Sequence, residues 1–174
     1  MSNANVSGQL GTDSSLAPEG LRQAQKLAER LKDEKIDAIY CSPMKRCQQT
    51  AEPIAKILDQ KPIIDDRLKE VEWGDFDGKS AEEVRVAVEK LPKDYLDTYQ
   101  YDFHRFNGES YKDVEKRIYD FLSDLSSQTY KRVLVVTHGG PVRMLNYILT
   151  GEKIKYQQNG VVIRRKLSKL HLLQ

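Results

Sequence analysis

The segment that most constrains the fold is Arg132-Val-Leu-Val-Val136, an unbroken apolar run that ends in Thr137-His-Gly-Gly-Pro141. A continuous apolar run of this length is typical of a strand buried on both faces of a parallel sheet. Parallel neighbours need crossover connections, usually helices, so the remaining chain must alternate the two. It does. Leu21, Ala24, Leu27 and Leu31 recur every three to four residues behind Pro18, which predicts a helix from 18 to about 34. Residues 36–41 read as a strand, and Ser42-Pro43 reads as the cap and first residue of a second helix, 43–58. Residues 61–65 read as another strand. Ser80-Ala-Glu-Glu83 is a capping box for a helix to about 91, and Ser110 to Asp113 opens one carrying Val114, Ile118 and Leu122. Residues 160–163 and 167–172 read as terminal strands. The expectation is one α/β domain over 1–174, a mostly parallel sheet between two helical layers. The less regular residues 71–109 are expected to form a lid or insertion segment.

Composition narrows the function. The 28 basic residues are interleaved with 26 acidic ones, for a net charge of +2, which argues against a nucleic-acid partner. The apolar runs are too short to span a bilayer and the N-terminus has no signal-peptide core, so no membrane partner is expected. Two cysteines, Cys41 and Cys47, make no disulfide framework, and a cytoplasmic setting is the simplest reading. His104, His138 and His171 lie scattered, without metal-ligand spacing, so neither metal nor cofactor is expected.

Ligands of open parallel sheets bind beyond the carboxyl ends of the strands. Three strand-to-helix turns therefore matter. His138 follows the strongest strand and precedes a helix start whose amides, at Gly139 and Gly140, carry no bulky side chains, a ready anion site. Arg46 lies one turn into the second helix, and a guanidinium fork matches two phosphate oxygens. Glu70 follows the 61–65 strand and is a candidate proton donor, with Glu72 and Asp75 as competitors. Cys41 to Arg46 also invites comparison with the Cys-x5-Arg loop of cysteine phosphatases. Only four residues separate them, one too few to wrap a phosphate.

Together these blocks resemble the histidine phosphatase superfamily, the phosphoglycerate mutase-like proteins. The resemblance is carried by Leu16-Ala-Pro-Glu-Gly20, Cys41-Ser-Pro-Met-Lys-Arg-Cys-Gln-Gln-Thr-Ala51 and Arg67-Leu-Lys-Glu-Val-Glu-Trp-Gly-Asp-Phe-Asp-Gly78. Gly108-Glu-Ser110 and Val135-Val-Thr-His-Gly-Gly140 complete it. It implies hydrolysis through a phosphohistidine, with Glu70 as acid–base and with His138 and Arg46 stabilising the transferring phosphoryl group. Gly139 and Asn5, or Asn3 in its place, would complete the phosphate contacts. Trp73, Tyr95, Tyr99 and His104 are the candidate substrate contacts from the lid, although core packing suits the aromatic residues as well. The short lid favours a small phosphorylated metabolite, a phosphate monoester, and a hydrolase over a mutase.

The departure from the family is at the start. The family opens with a strand ending in Arg-His-Gly, which supplies the nucleophile and a first arginine; residues 1–174 contain no such triplet. The expectation is a sheet lacking its first strand, either poorly stable or rearranged, and a chain inactive as written. The alternatives are an incomplete enzyme, a non-catalytic binder of phosphorylated ligands, or an interaction module built on the aromatic stretch. Ala17, in place of a hydroxyl residue, also leaves the first helix without a side-chain cap.

Overall fold

A computed structural model describes residues 11–89 and 101–152. Three parallel strands, β1 (Ala38–Cys41), β2 (Ile63–Ile64) and β3 (Val133–Val136), lie in the order β2-β1-β3. Cys41 pairs with Ile64 on one side and with Val136 on the other, so all three strands end at the same edge. The helices are α1 (Pro18–Leu31), α2 (Lys45–Ile57), α3 (Ala81–Val88), α4 (Tyr111–Ser126) and α5 (Gly139–Thr150).

Side-chain alternation along the strands builds the layers. Ile39 and Cys41 of β1, with Leu134 and Val136 of β3, face Ala28, Leu31, Cys47, Ala51, Ile54 and Ala55 of α1 and α2. Small residues at Ala24, Ala28, Ala51 and Ala55 let these two helices approach closely. Tyr40, Val133 and Val135 point the other way, onto Val114, Ile118, Phe121, Leu122 and Met144 of α4 and α5. Tyr40 meets the Phe121 ring edge to face at 5.4 Å.

The capping box expected at Ser80 forms with Glu83, and the helix expected to start at Ser110 opens on a second box, with Asp113. Other boundaries move. The first helix ends at Leu31, because Glu34 N–H bonds the Leu31 carbonyl and closes a turn over the residues assigned to the helix. Its leading leucine, Leu21, is exposed. Ser42 does not begin α2: Met44 is the cap residue, and Ser42 is buried in the site. The strand expected at 61–65 shrinks to two residues on the sheet edge, with Ile63 41% and Ile64 49% exposed.

The strand taken as buried on both faces is half-buried over Val133, Leu134 and Val135. Its physical reason is pairing: among the described residues β3 has one neighbour, β1. On its paired side β3 keeps a four-residue parallel register with β1.

The described residues of segment 71–109 have a small core of their own. Phe76, Val84, Val88 and Phe103 are buried together with Trp73, Tyr101 and Phe106 packed against them. Gly74 makes this possible: it adopts φ +60°, and a Cβ there would sit 1.9 Å from the Phe106 carbonyl oxygen. The expected terminal strands at 160–163 and 167–172 lie outside the described residues.

Candidate active site

The shared strand edge brings the three turns together. Beyond β3, His138 occupies the cap position of α5 in extended conformation (φ −115°, ψ 175°) and is buried. Its Nε2 lies 2.8 Å from Ser42 Oγ, and Arg46 Nε donates to its Nδ1 at 3.2 Å. A guanidinium only donates, so Nδ1 accepts, and the ring proton is assigned to Nε2, which donates to Ser42. Burial, then the charges of Arg46 and Arg117, lower the His138 pKa from 6.5 to about 3. The imidazole is therefore neutral near neutral pH.

Arg46 is held by the loop preceding α1. Its Nη1 donates to the Thr12 carbonyl at 2.8 Å, and Asp13 accepts the Lys45 amide at 2.7 Å. Gln49 Oε1 accepts the Leu16 amide at 2.7 Å, which fastens the same loop to α2. The phosphate-type fork expected of Arg46 is thus occupied by a ring nitrogen and a carbonyl.

The Glu70 segment leaves β2 through a 3-10 turn at Asp66–Leu68, where Asp65 accepts the Arg67 amide. Thr137 Oγ1 donates to the Leu68 carbonyl at 2.6 Å and fastens this segment to the end of β3. Glu70 Oε1 then accepts two amides, from Val71 and from Gly140 in the first turn of α5, both at 3.0 Å. A carboxylate here satisfies an otherwise orphan helix donor and suits the positive end of the dipole. The competitors go elsewhere. Glu72 is exposed, and Asp75 accepts from Asn107 Nδ2 at 3.0 Å.

Two buried polar atoms lack a hydrogen-bond partner among the described residues, Thr12 Oγ1 and Arg143 Nε. Both border the site. Thr12 holds Arg46, and the Arg143 guanidinium folds back over Gly139, with Nη1 3.4 Å from where a Gly139 Cβ would be. Native proteins rarely leave such atoms unpaired, and both can donate to an acceptor bound there.

The cysteine chemistry is unfavourable. Cys47 Sγ lies 3.3 Å from His138 Nε2, yet burial pushes both the Cys41 and Cys47 thiols up to about 12. Neither is a thiolate nucleophile at neutral pH. No group of three or more His, Cys, Asp or Glu side chains among the described residues is arranged to hold a metal ion. No described helix is long and apolar enough to cross a membrane.

Arg46, Glu70, His138 and Gly139, singled out in sequence, converge. The contacts of the two described lid candidates lie elsewhere. Trp73 packs on Phe103 at 5.0 Å. His104 is 58% exposed and bridges Asp102 (3.1 Å) and Asp113 (2.7 Å), so its side chain ties the lid to the start of α4. Asn3, Asn5, Tyr95 and Tyr99 lie outside the described residues. Ser42 is the site residue the sequence reading misses, because Ser-Pro after a strand is also a helix-start signal.

The fold is that of an α/β protein whose Arg, Glu and His cluster lies beyond the carboxyl ends of parallel strands. A family profile described as Histidine phosphatase superfamily (branch 1) matches residues 1–170. Phosphoserine phosphatase 1 of Hydrogenobacter thermophilus (strain DSM 6534 / IAM 12695 / TK-6) is 34% identical over 144 residues, covering 80% of this chain and 66% of that protein. A second protein of that strain, whose name gives it phosphoserine phosphatase activity provisionally, is 31% identical over 160 residues, 92% of this chain and 78% of its own length. A solved structure titled Mycobacterial hydrolase 1 superposes with a TM-score of 0.77 at 23% identity, over 87% of this chain and 77% of that one. The chain belongs to the histidine phosphatase superfamily.

Proposed function

We propose that the site is one half of a phosphoric monoester hydrolase centre: Arg46 and His138 hold the phosphoryl group and Glu70 is the acid–base. The observation that carries this reading is the convergence of Arg46 on His138 and of Glu70 on Gly140, from three separate turns. In the ligand-free arrangement Arg46 gives its donors to His138 and Thr12. An entering phosphoryl group takes over those donors, which are worth more against an anion than against a neutral acceptor. His138, neutral and protonated on Nε2, turns that N–H from Ser42 to a phosphoryl oxygen. Glu70, held at the Gly140 and Val71 amides, protonates the leaving alkoxide and then activates water. The orphan atoms of Thr12 and Arg143 support an anionic ligand.

The attacking histidine and first arginine belong, by family resemblance, to an Arg-His-Gly strand that residues 1–174 do not contain. On this reading residues 1–174 bind a small phosphate monoester without turning it over. The segment 71–109 serves as its lid, within one domain. The names of the Hydrogenobacter relatives make phosphoserine the first substrate to try. The test compares phosphate release from phosphoserine by residues 1–174 and by the same chain preceded by an apolar strand ending in Arg-His-Gly. Release by the extended chain alone, through a phosphoenzyme that is labile in acid and stable in base as a phosphohistidine is, supports the reading. Turnover by residues 1–174, or none by a folded extended chain, overturns it.

A further inference from the structure

Four backbone groups around Glu70 are tied to a single ion pair on the far side of the segment. Arg117, in α4, donates from Nη1 to the Arg67 carbonyl and from Nη2 to the Glu70 carbonyl (3.4 Å). Its Nε and Nη2 also fork onto both carboxylate oxygens of Glu109, at 2.8 and 3.0 Å. Glu109 Oε2 in turn accepts the Glu72 amide at 3.0 Å, and the Glu109 amide donates to the Glu72 carbonyl at 2.8 Å. Residues 67, 70 and 72 are thereby gripped on both sides of the Glu70 side chain.

The pair is mostly buried, with Arg117 16% and Glu109 17% exposed. A buried ion pair is weak ground for stability, because desolvation offsets much of the attraction. Fixing a geometry is what such a pair does well, since a planar fork with five donors sets several acceptors at once. The geometry fixed here is that of the acid–base segment. Neither the Glu70 carboxylate nor the Gly140 amide touches Arg117, so any effect on them runs through the backbone. The Arg117 charge also reaches His138, where it helps to keep the imidazole neutral.

We propose that Arg117, clamped by Glu109, is a positioning residue for Glu70: it sets the backbone of residues 67–72 so that the carboxylate meets the Gly140 amide. The assignment of positioning rests on the reading of Glu70 as acid–base. Its geometric part stands independently of catalysis. Lysine at position 117 keeps the charge but loses the fork, so charge alone does not rescue the function.

The deciding experiment is a 1H–15N correlation spectrum of residues 1–174, comparing the native chain with Arg117→Lys, Glu109→Gln and, as reference, Glu70→Ala. The Gly140 amide proton moves upfield in R117K and E109Q towards its position in E70A, in spectra that remain dispersed. An unmoved Gly140 amide in either folded variant overturns the proposal. If R117K loses the fold, E109Q, which leaves the arginine in place, decides the matter alone. A second readout uses the extended, active chain. R117K lowers kcat about tenfold or more for an alkyl phosphate, a share of the ~10²–10⁴-fold that general acid–base catalysis supplies. In single-turnover phosphoenzyme formation, the half-reaction that precedes water activation, it leaves 4-nitrophenyl phosphate, whose leaving group needs no proton, nearly unchanged. Equal losses of both substrates in that half-reaction mean a merely structural role and overturn the proposal. Full activity of Glu70→Gln on alkyl phosphates sinks the acid–base reading instead, while the amide shift still tests the positioning.

Discussion

Glu70 Oε1 lies 3.0 Å from the amide nitrogen of Gly140, across 70 residues of sequence, and this bond joins the β2 exit segment to the start of α5. The contact explains why position 140 is glycine. A Cβ there would sit 2.6 Å from Glu70 Oε1 and 2.5 Å from Val71 Cγ2, both inside any tolerated separation. Gly140→Ala must displace one of them. Overpacking of this kind destabilises by about 1–3 kcal/mol. Urea unfolding of G140A gives that loss, accompanied by weakened phosphate binding; a native midpoint with native binding would show that the close approach is not needed.

His138 gives the protein a defined acid sensitivity. Its folded-state pKa is depressed to about 3 against an ordinary 6.5, so below 6.5 the unfolded chain binds a proton that the native chain does not. Stability from this group is therefore complete above pH 6.5 and declines as pH falls towards 3, by up to about 1.4 kcal/mol per pH unit. Carboxylates held by partners, such as Asp65 with Arg67 and Asp113 with Ser110, are also lowered, and they lose their contribution below about their ordinary 3.8. The window from 6.5 to about 4.5 lies above the lowered carboxylates, and because burial raises Asp77 towards it, the histidine's share is read from the comparison with His138→Gln. Unfolding free energies across that window slope downwards towards acid in the native chain, and the slope flattens in His138→Gln. Equal slopes in the two proteins would mean that His138 is not buried as a neutral ring.

Thr12 offers a test in which stability and binding move in opposite directions. Its buried hydroxyl has no partner among the described residues, so isosteric Thr12→Val removes an uncompensated polar group. Such a change stabilises by up to about 1–3 kcal/mol. If the hydroxyl waits for an anion, the same variant binds inorganic phosphate a few-fold more weakly. A higher melting temperature with weaker binding is the expected pair of results; unchanged binding removes Thr12 from the site.

Much of this site is legible in the sequence because its residues are tied to local signals. His138 and the glycines follow an apolar run, Arg46 follows a strand-to-helix turn, and Ser80 and Ser110 carry their capping partners three residues on. What escapes the sequence is long-range. Ser42 looks like a helix cap until His138, 96 residues away, takes its hydroxyl. Arg117 is one basic residue beside Lys112 and Lys116 on an amphipathic helix until the Arg67 and Glu70 carbonyls are seen against it. The choice of Glu70 over Glu72 and Asp75 needs the position of the Gly140 amide, which periodicity does not supply. The half-burial of β3 depends on which strands flank it, and an apolar run reports only its own composition.

His104 separates lid architecture from ligand contact. It is exposed and bridges Asp102 and Asp113, each close enough for an ion pair when the ring is protonated. Exposed pairs of this type contribute at most about 1 kcal/mol. His104→Ala lowers the melting temperature slightly and leaves phosphate affinity as it is. A large loss of affinity would place His104 among the ligand contacts after all.

The central claim, that Arg46 and His138 form a phosphoryl pocket, is tested most directly by isothermal titration of inorganic phosphate into residues 1–174 and into Arg46→Lys. The account predicts saturable one-to-one binding, weakened about tenfold or more in R46K, because a charged hydrogen bond is worth about 1.5–3 kcal/mol and the point-charge lysine loses the fork. Absence of binding to the folded native chain, or equal affinity in the folded variant, would contradict it.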